Sequence, residues 1–176
     1  DDTAYYYIEL TEDGSQKELY HINLICKDRN NFKILWKREL YQGEFFSYIH
    51  GLHENTESIF VPISQTYQLF CIDKKDGSVK WVFEPAKTDK KVVFRKGSDC
   101  MATLGNKSID CEFLMDDGLI VHLSSVNEKD ESVLYHQYYL VSFDGKLLNI
   151  LNEEPLHYFE DSYFYQDKRF FGVKKI

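Results

Sequence analysis

Two segments of this chain are built on one plan. LICKDRNNFKILWKRE at 24–39 lies over LFCIDKKDGSVKWVFE at 69–84 without a gap. Leu24 answers to Leu69, Cys26 to Cys71, Asp28 to Asp73 and Trp36 to Trp81, each pair 45 residues apart. A weaker third copy, YYLVSFDGKLLNILNEEP, occupies 138–155 with its turn shortened to Asp144-Gly145. A period of this length constrains a chain more than its composition does, because each unit is one supersecondary element that buries its apolar face only against a neighbour.

Each copy reads as a hairpin. Leu69, Cys71 and Asp73 alternate with Phe70 and Ile72, Asp76-Gly77 supplies the positive φ of a tight turn, and Val79, Trp81 and Phe83 alternate on the way out. In the first copy Asn30-Asn31 is expected to take the place of that turn, since Asn tolerates the left-handed region. A strand precedes each hairpin, at Tyr5 to Leu10, Ser58 to Ile63 and Leu119 to Ser124, and a last pair is expected at Tyr163–Tyr165 and Arg169–Val173. Pro62 cannot donate to a ladder, so its strand should lie at an edge or carry a bulge. Helix signals are weak; 44–53 and 125–136 could each hold a turn or two, while 86–99 and 126–132 are polar and read as surface loops. The high aromatic content, 13 Tyr and 13 Phe, suits pleated half-buried surfaces. The expected fold is all-β, with antiparallel propeller-like blades or a curved open sheet. One domain over 1–176 would hold units at about 5–40, 58–85 and 113–155 and a terminal strand pair at 162–174.

With 43% hydrophobic and 28% charged residues the chain has the balance of a folded protein. Its net charge of −8 argues against nucleic acid, where affinity comes from clustered Lys and Arg, and favours a basic protein partner. No apolar run approaches the ~20 residues that span a bilayer. The chain begins Asp1-Asp2 without Met, and an extracytoplasmic protein whose signal or anchor was removed is preferred over a cytoplasmic one. Cys26 and Cys71 stand at equivalent strand positions and read as small buried side chains. Cys100 and Cys111 flank a segment centred on Gly105-Asn106; if that segment is a hairpin loop, they could form a disulfide.

The phrase LFCIDKKDGSVKWVFEP resembles the repeat of quinoprotein-like, or PQQ-like, β-propellers. The residues that carry the resemblance are Ile72, Asp73, Gly77, Lys80 and Trp81. The first copy keeps Asp28, Lys33 and Trp36 but has Phe32 where the glycine falls; the third keeps Asp144, Gly145 and Lys146 and has Asn149 or Ile150 in place of the tryptophan. A closed propeller takes 4–8 blades, and this length accommodates three units and part of a fourth. The resemblance implies hairpins used as a binding scaffold, with each tryptophan packing between neighbouring sheets. It implies no quinone, because the metal and acidic constellation of the family's enzymes cannot be placed here, and no cofactor is expected.

Candidate chemistry is sparse. His50 and His53 form an HxxH pair without a third nearby ligand, so no metal site is assigned. His122 and Ser124 would share one face of a strand, a weak sign of nucleophilic catalysis, and no GxSxG, GxxxxGK or GxGxxG motif occurs. No catalytic residue is assigned. EEPLHYFEDSYFY at 153–165 mixes acids with aromatics as a protein-binding patch does, which makes Glu153, Glu154, Tyr158, Glu160 and Asp161 the candidate partner-binding residues. The expected function is non-enzymatic protein binding, one form being an acidic inhibitor or immunity protein that masks a basic partner such as a bacterial toxin. The alternatives are a fragment of a larger propeller serving as a sensor or assembly scaffold, and a hydrolase with an unrecognised site.

Overall fold

A computed structural model describes residues 3–14, 19–44, 49, 51–88, 108–114, 118–126, 134–151, 163–166 and 169–172. The fold is all-β and every strand pairing is antiparallel. The first sheet has the order β1 (Ala4–Glu12), β2 (Tyr20–Asp28), β3 (Ile34–Gly43). The second runs β4 (His53–Glu54), β5 (Ser58–Ile63), β6 (Gln68–Asp73), β7 (Val79–Phe83), and the third β11 (Leu147–Leu151), β10 (Leu134–Ser142), β9 (Gly118–Val126), β8 (Ser108–Leu114). A separate hairpin pairs β12 (Tyr163–Gln166) with β13 (Arg169–Gly172), as the alternation of those segments led one to expect.

The second sheet lies between the other two, and its middle strands β5 and β6 bury side chains on both faces. Phe60, Leu69, Cys71 and Phe83 pack against Ile109, Leu119, Val121, Leu123 and Tyr139 of the third sheet. Ile59, Val61, Ile63 and Ile72, pointing the other way, pack against Ile22, Leu24 and Leu40 of the first. Hence β5, SIFVPI, is buried at every residue, while β3 alternates because one of its faces meets water. Pro62 is accommodated because the two-residue β4 pairs only with Ile59 and Phe60 and stops short of it.

Trp36 and Trp81 do the same job at successive sheet contacts. Each pairs across its hairpin with the matching cysteine, Cys26↔Trp36 and Cys71↔Trp81, and a register shift follows each cysteine. The Trp36 indole N–H donates to the Lys74 carbonyl at 3.0 Å, in the β6–β7 turn of the second sheet. That of Trp81 donates to the Phe143 carbonyl at 2.9 Å, in the β10–β11 turn of the third. Beneath each indole lies a glycine of that turn, Gly77 (φ 70°) under Trp36 and Gly145 (φ 83°) under Trp81. A Cβ at Gly77 would stand 2.6 Å from Trp36, and one at Gly145 would stand 2.7 Å from Trp81. Glycine serves twice there, for its backbone and for the missing Cβ.

The first hairpin corrects the expectation for its turn. Asn30 and Asn31 do not adopt positive φ; Phe32 does, at 58°, and its N–H donates to the Asp28 carbonyl as that of Gly77 does to Asp73, both at 2.9 Å. The Asp28 carboxylate accepts from the Asn30 and Asn31 amides instead. Phe32 is 67% exposed, so this turn bears no tryptophan and a Cβ costs only backbone strain. Other expectations also change. Residues 134–136 belong to β10 and 125–126 to β9, so the helical turn weighed for 125–136 is absent from them. A short helix at Pro85–Thr88 opens the segment read as a loop, and β8 starts the third sheet at Ser108, inside the stretch between Cys100 and Cys111.

These contacts predict an asymmetry measurable by urea denaturation. Gly77→Ala and Gly145→Ala should each cost about 2–4 kcal/mol, from positive φ and collision with an indole together. Phe32→Gly, at the matching turn, should be neutral or stabilising by up to about 1 kcal/mol.

Candidate functional site

A cleft of about 830 Å³ lies where the first sheet meets the turns of the second. Tyr5 and Tyr6 of β1, Arg29 after β2 and Trp36 of β3 form one side; Glu54 of β4, Glu57, Asp73 and Lys74 form the other. The tryptophan contact positions both walls. Lys74 supplies the carbonyl that Trp36 bonds, its own N–H donates to the Glu57 carbonyl at 3.0 Å, and its ammonium meets Glu54 at 2.8 Å and lies 5.7 Å from the Tyr6 ring centre. Arg29 ties the start of β1 to the β2–β3 turn, donating from Nε to the Ala4 carbonyl at 3.0 Å. Lys80 approaches Asp73 at 3.4 Å and Glu57 at 3.8 Å from the far side of the turn.

Arg29, Lys74 and Lys75 balance Glu54, Glu57 and Asp73 among the lining residues. The cleft is thus locally neutral in a chain of net charge −8, and Tyr5, Tyr6, Leu35, Trp36 and Leu52 are among its apolar and aromatic lining. Tyr6 and Cys26 both line it. Burial pushes both groups above their ordinary ionisation ranges, and pushes Cys71 up likewise. For both thiols the shift runs opposite to the lowering that activates a cysteine.

Beside the cleft runs the outer edge of β1. β1 pairs with β2 through nine unbroken register positions, Ala4↔Asp28 to Glu12↔Tyr20. Among the described residues no strand pairs with its other edge. The corresponding edges of β5 and β9 are occupied by β4 and β8. AYYYIELTE contains no Pro, no Lys and no bulge, devices by which proteins blunt an open edge, and its two charged residues, Glu9 and Glu12, stand in its second half.

The patch expected at Glu153, Glu154, Tyr158, Glu160 and Asp161 lies outside the described residues, as do His50 and Cys100. His53 sits in β4 opposite Phe60, and Cys111 is buried against the second sheet. His122 and Ser124 share a face; the His122 ring stacks on Tyr138 at 4.5 Å and its Nε2 lies 3.0 Å from His136 Nδ1. Among the described residues no group of three or more His, Cys, Asp or Glu is placed to hold a metal, and no helix is long and apolar enough to cross a membrane. Tyr5, Tyr6, Glu54 and Lys74 carry no motif, and only the pairing of turn with tryptophan, visible in the 45-residue spacing, could have pointed to the cleft. No family model matches this chain, and no curated protein matches it.

Burial favours the neutral forms of Tyr6, Cys26 and Cys71, so their contribution to stability is complete below the unfolded-state pKa values and is lost as pH rises through the higher folded ones. Equilibrium unfolding followed from pH 8 to 11 should therefore show stability falling above about pH 9. Cys71→Ala should reduce that fall.

Proposed function

We propose that this chain is a non-enzymatic protein-binding module that takes up an extended segment of a partner as an added strand on the outer edge of β1. The observation that carries the reading is the edge itself: nine residues long, regular, without Pro, Lys or bulge, and, among the described residues, one strand short of the neighbouring sheets. Strand addition draws affinity from main-chain hydrogen bonds and specificity from side-chain sites on alternate residues. The cleft beside Tyr5 and Tyr6 supplies such a site, where a residue flanking the added strand would meet tyrosine and a locally neutral rim. The net charge of −8 steers a basic partner toward the module without requiring an acidic pocket. An inhibitor or immunity protein that masks a basic toxin is one concrete form.

A second reading is favoured by the tryptophan contacts. Trp36 docks on the second sheet and Trp81 on the third, which is how successive blades would lock in a larger PQQ-like propeller used as a sensor or assembly scaffold. The open edge would then be completed by a strand of the same polypeptide.

Amide exchange read residue by residue separates these outcomes. In the dilute chain, alternate amides of Ala4–Glu12 should exchange quickly, those bonded to β2 slowly. A binding peptide, selected from a library of extended twelve-residue sequences, should slow the fast set at least tenfold. Uniform slow exchange along the free strand would show the edge already covered and defeat the strand-addition reading. Protection confined to another surface on peptide binding would defeat it too.

A further inference from the structure

The face of the third sheet turned away from the second carries a ring row that the binding reading does not use. Tyr138 stands opposite His122 in the β9–β10 register, and His136 opposite Ser124. The Tyr138, His122 and His136 rings follow one another, with centres 4.5 and 5.2 Å apart and planes within 13° and 12°. Tyr138 is buried and holds the half-buried His122 from behind, while His136 is exposed. The nearest ring nitrogens, His122 Nε2 and His136 Nδ1, are 3.0 Å apart.

We propose that His122 and His136 bind a divalent transition cation of the class that imidazole suits, Zn²⁺, Ni²⁺ or Cu²⁺. Metal–imidazole bonds are about 2.0–2.1 Å, so two nitrogens on one ion stand roughly 2.9 Å apart at a right angle and 3.3 Å apart at the tetrahedral angle. The observed 3.0 Å falls within that span. In the metal-free protein the two nitrogens share a hydrogen bond, one donating and one accepting. Tipping the exposed His136 ring turns both lone pairs onto one point, and the ring that donated changes tautomer, its proton passing through solvent to its other nitrogen, so that both ligands stay neutral imidazoles. The strand pair sets the spacing and the stack on Tyr138 orients the first ligand, so little ordering remains on binding. Two imidazoles leave positions open to water, which makes this an exchangeable site and not a closed structural one.

The test is a calorimetric titration of the full chain with Zn²⁺ and with Ni²⁺ at pH 7.5, with the His Cε1–H resonances followed by NMR. One ion should bind per chain, shifting the His122 and His136 signals together. His122→Ala and His136→Ala should each weaken binding at least tenfold. His136→Gln, which can still hydrogen-bond His122 but offers a poor ligand, should lose binding while keeping the fold, checked by an unchanged far-ultraviolet spectrum. His21→Ala removes a histidine paired with Glu39 at 2.7 Å in the first sheet and should leave binding as it was. No binding at millimolar ion, or equal affinity in the wild type and His136→Gln, would overturn the proposal.

Discussion

An indole N–H seated on the turn of the next sheet is the contact on which the rest of this structure depends. Antiparallel hairpins are local objects, and a small sheet alone has too little apolar area to persist. Trp36 and Trp81 join three of them. Each indole satisfies its one polar atom on a backbone carbonyl and lays its ring over a glycine, so apolar burial and a hydrogen bond are met together. Because the carbonyl belongs to a turn, the contact also fixes how far the next sheet lies and how it is turned. Ile59 and Leu24 in one core, and Leu69 and Val121 in the other, then pack in the space so defined.

That arrangement also explains why matching turns carry different residues. Gly77 and Gly145 lie under a tryptophan; Phe32 does not, and the same left-handed backbone is held there by a side chain that is mostly in water. The cleft follows from the same geometry. Lys74 gives its carbonyl to Trp36, which draws the β6–β7 turn against the first sheet and sets Glu54 and Lys74 facing Tyr6. In the proposed binding mode the cleft would contribute shape and its tyrosines, and the chain's negative charge would act at longer range.

Much of the fold could be read from the sequence because alternation and turn chemistry are local. Ser58–Ile63 has the bounds expected of it, β1 and β9 extend a residue or more past theirs, and the last hairpin lies where it was placed. Strands without such local marks were missed. β4 has two residues, and β8, SIDCEFL, mixes acids with apolar residues and is defined by its pairing with β9. The turn of the first hairpin misled for a related reason. Asn-Asn is the stronger local signal for positive φ, yet the shared geometry of the turn puts that conformation two residues further on than Asn30, at Phe32. The cleft and the His122–His136 pair were not legible, since each joins residues that only the register and the sheet contacts bring together.

The indole protons of Trp36 and Trp81 report on the central contact directly. In a ¹⁵N-labelled sample carrying ¹³C at the Lys and Phe carbonyls, each indole N–H should show a through-hydrogen-bond coupling to one carbonyl, that of Lys74 for Trp36 and that of Phe143 for Trp81. Both protons should exchange with solvent only as fast as the whole chain unfolds. Indole protons that exchange at the rate of free tryptophan, with no coupling to either carbonyl, would contradict the account.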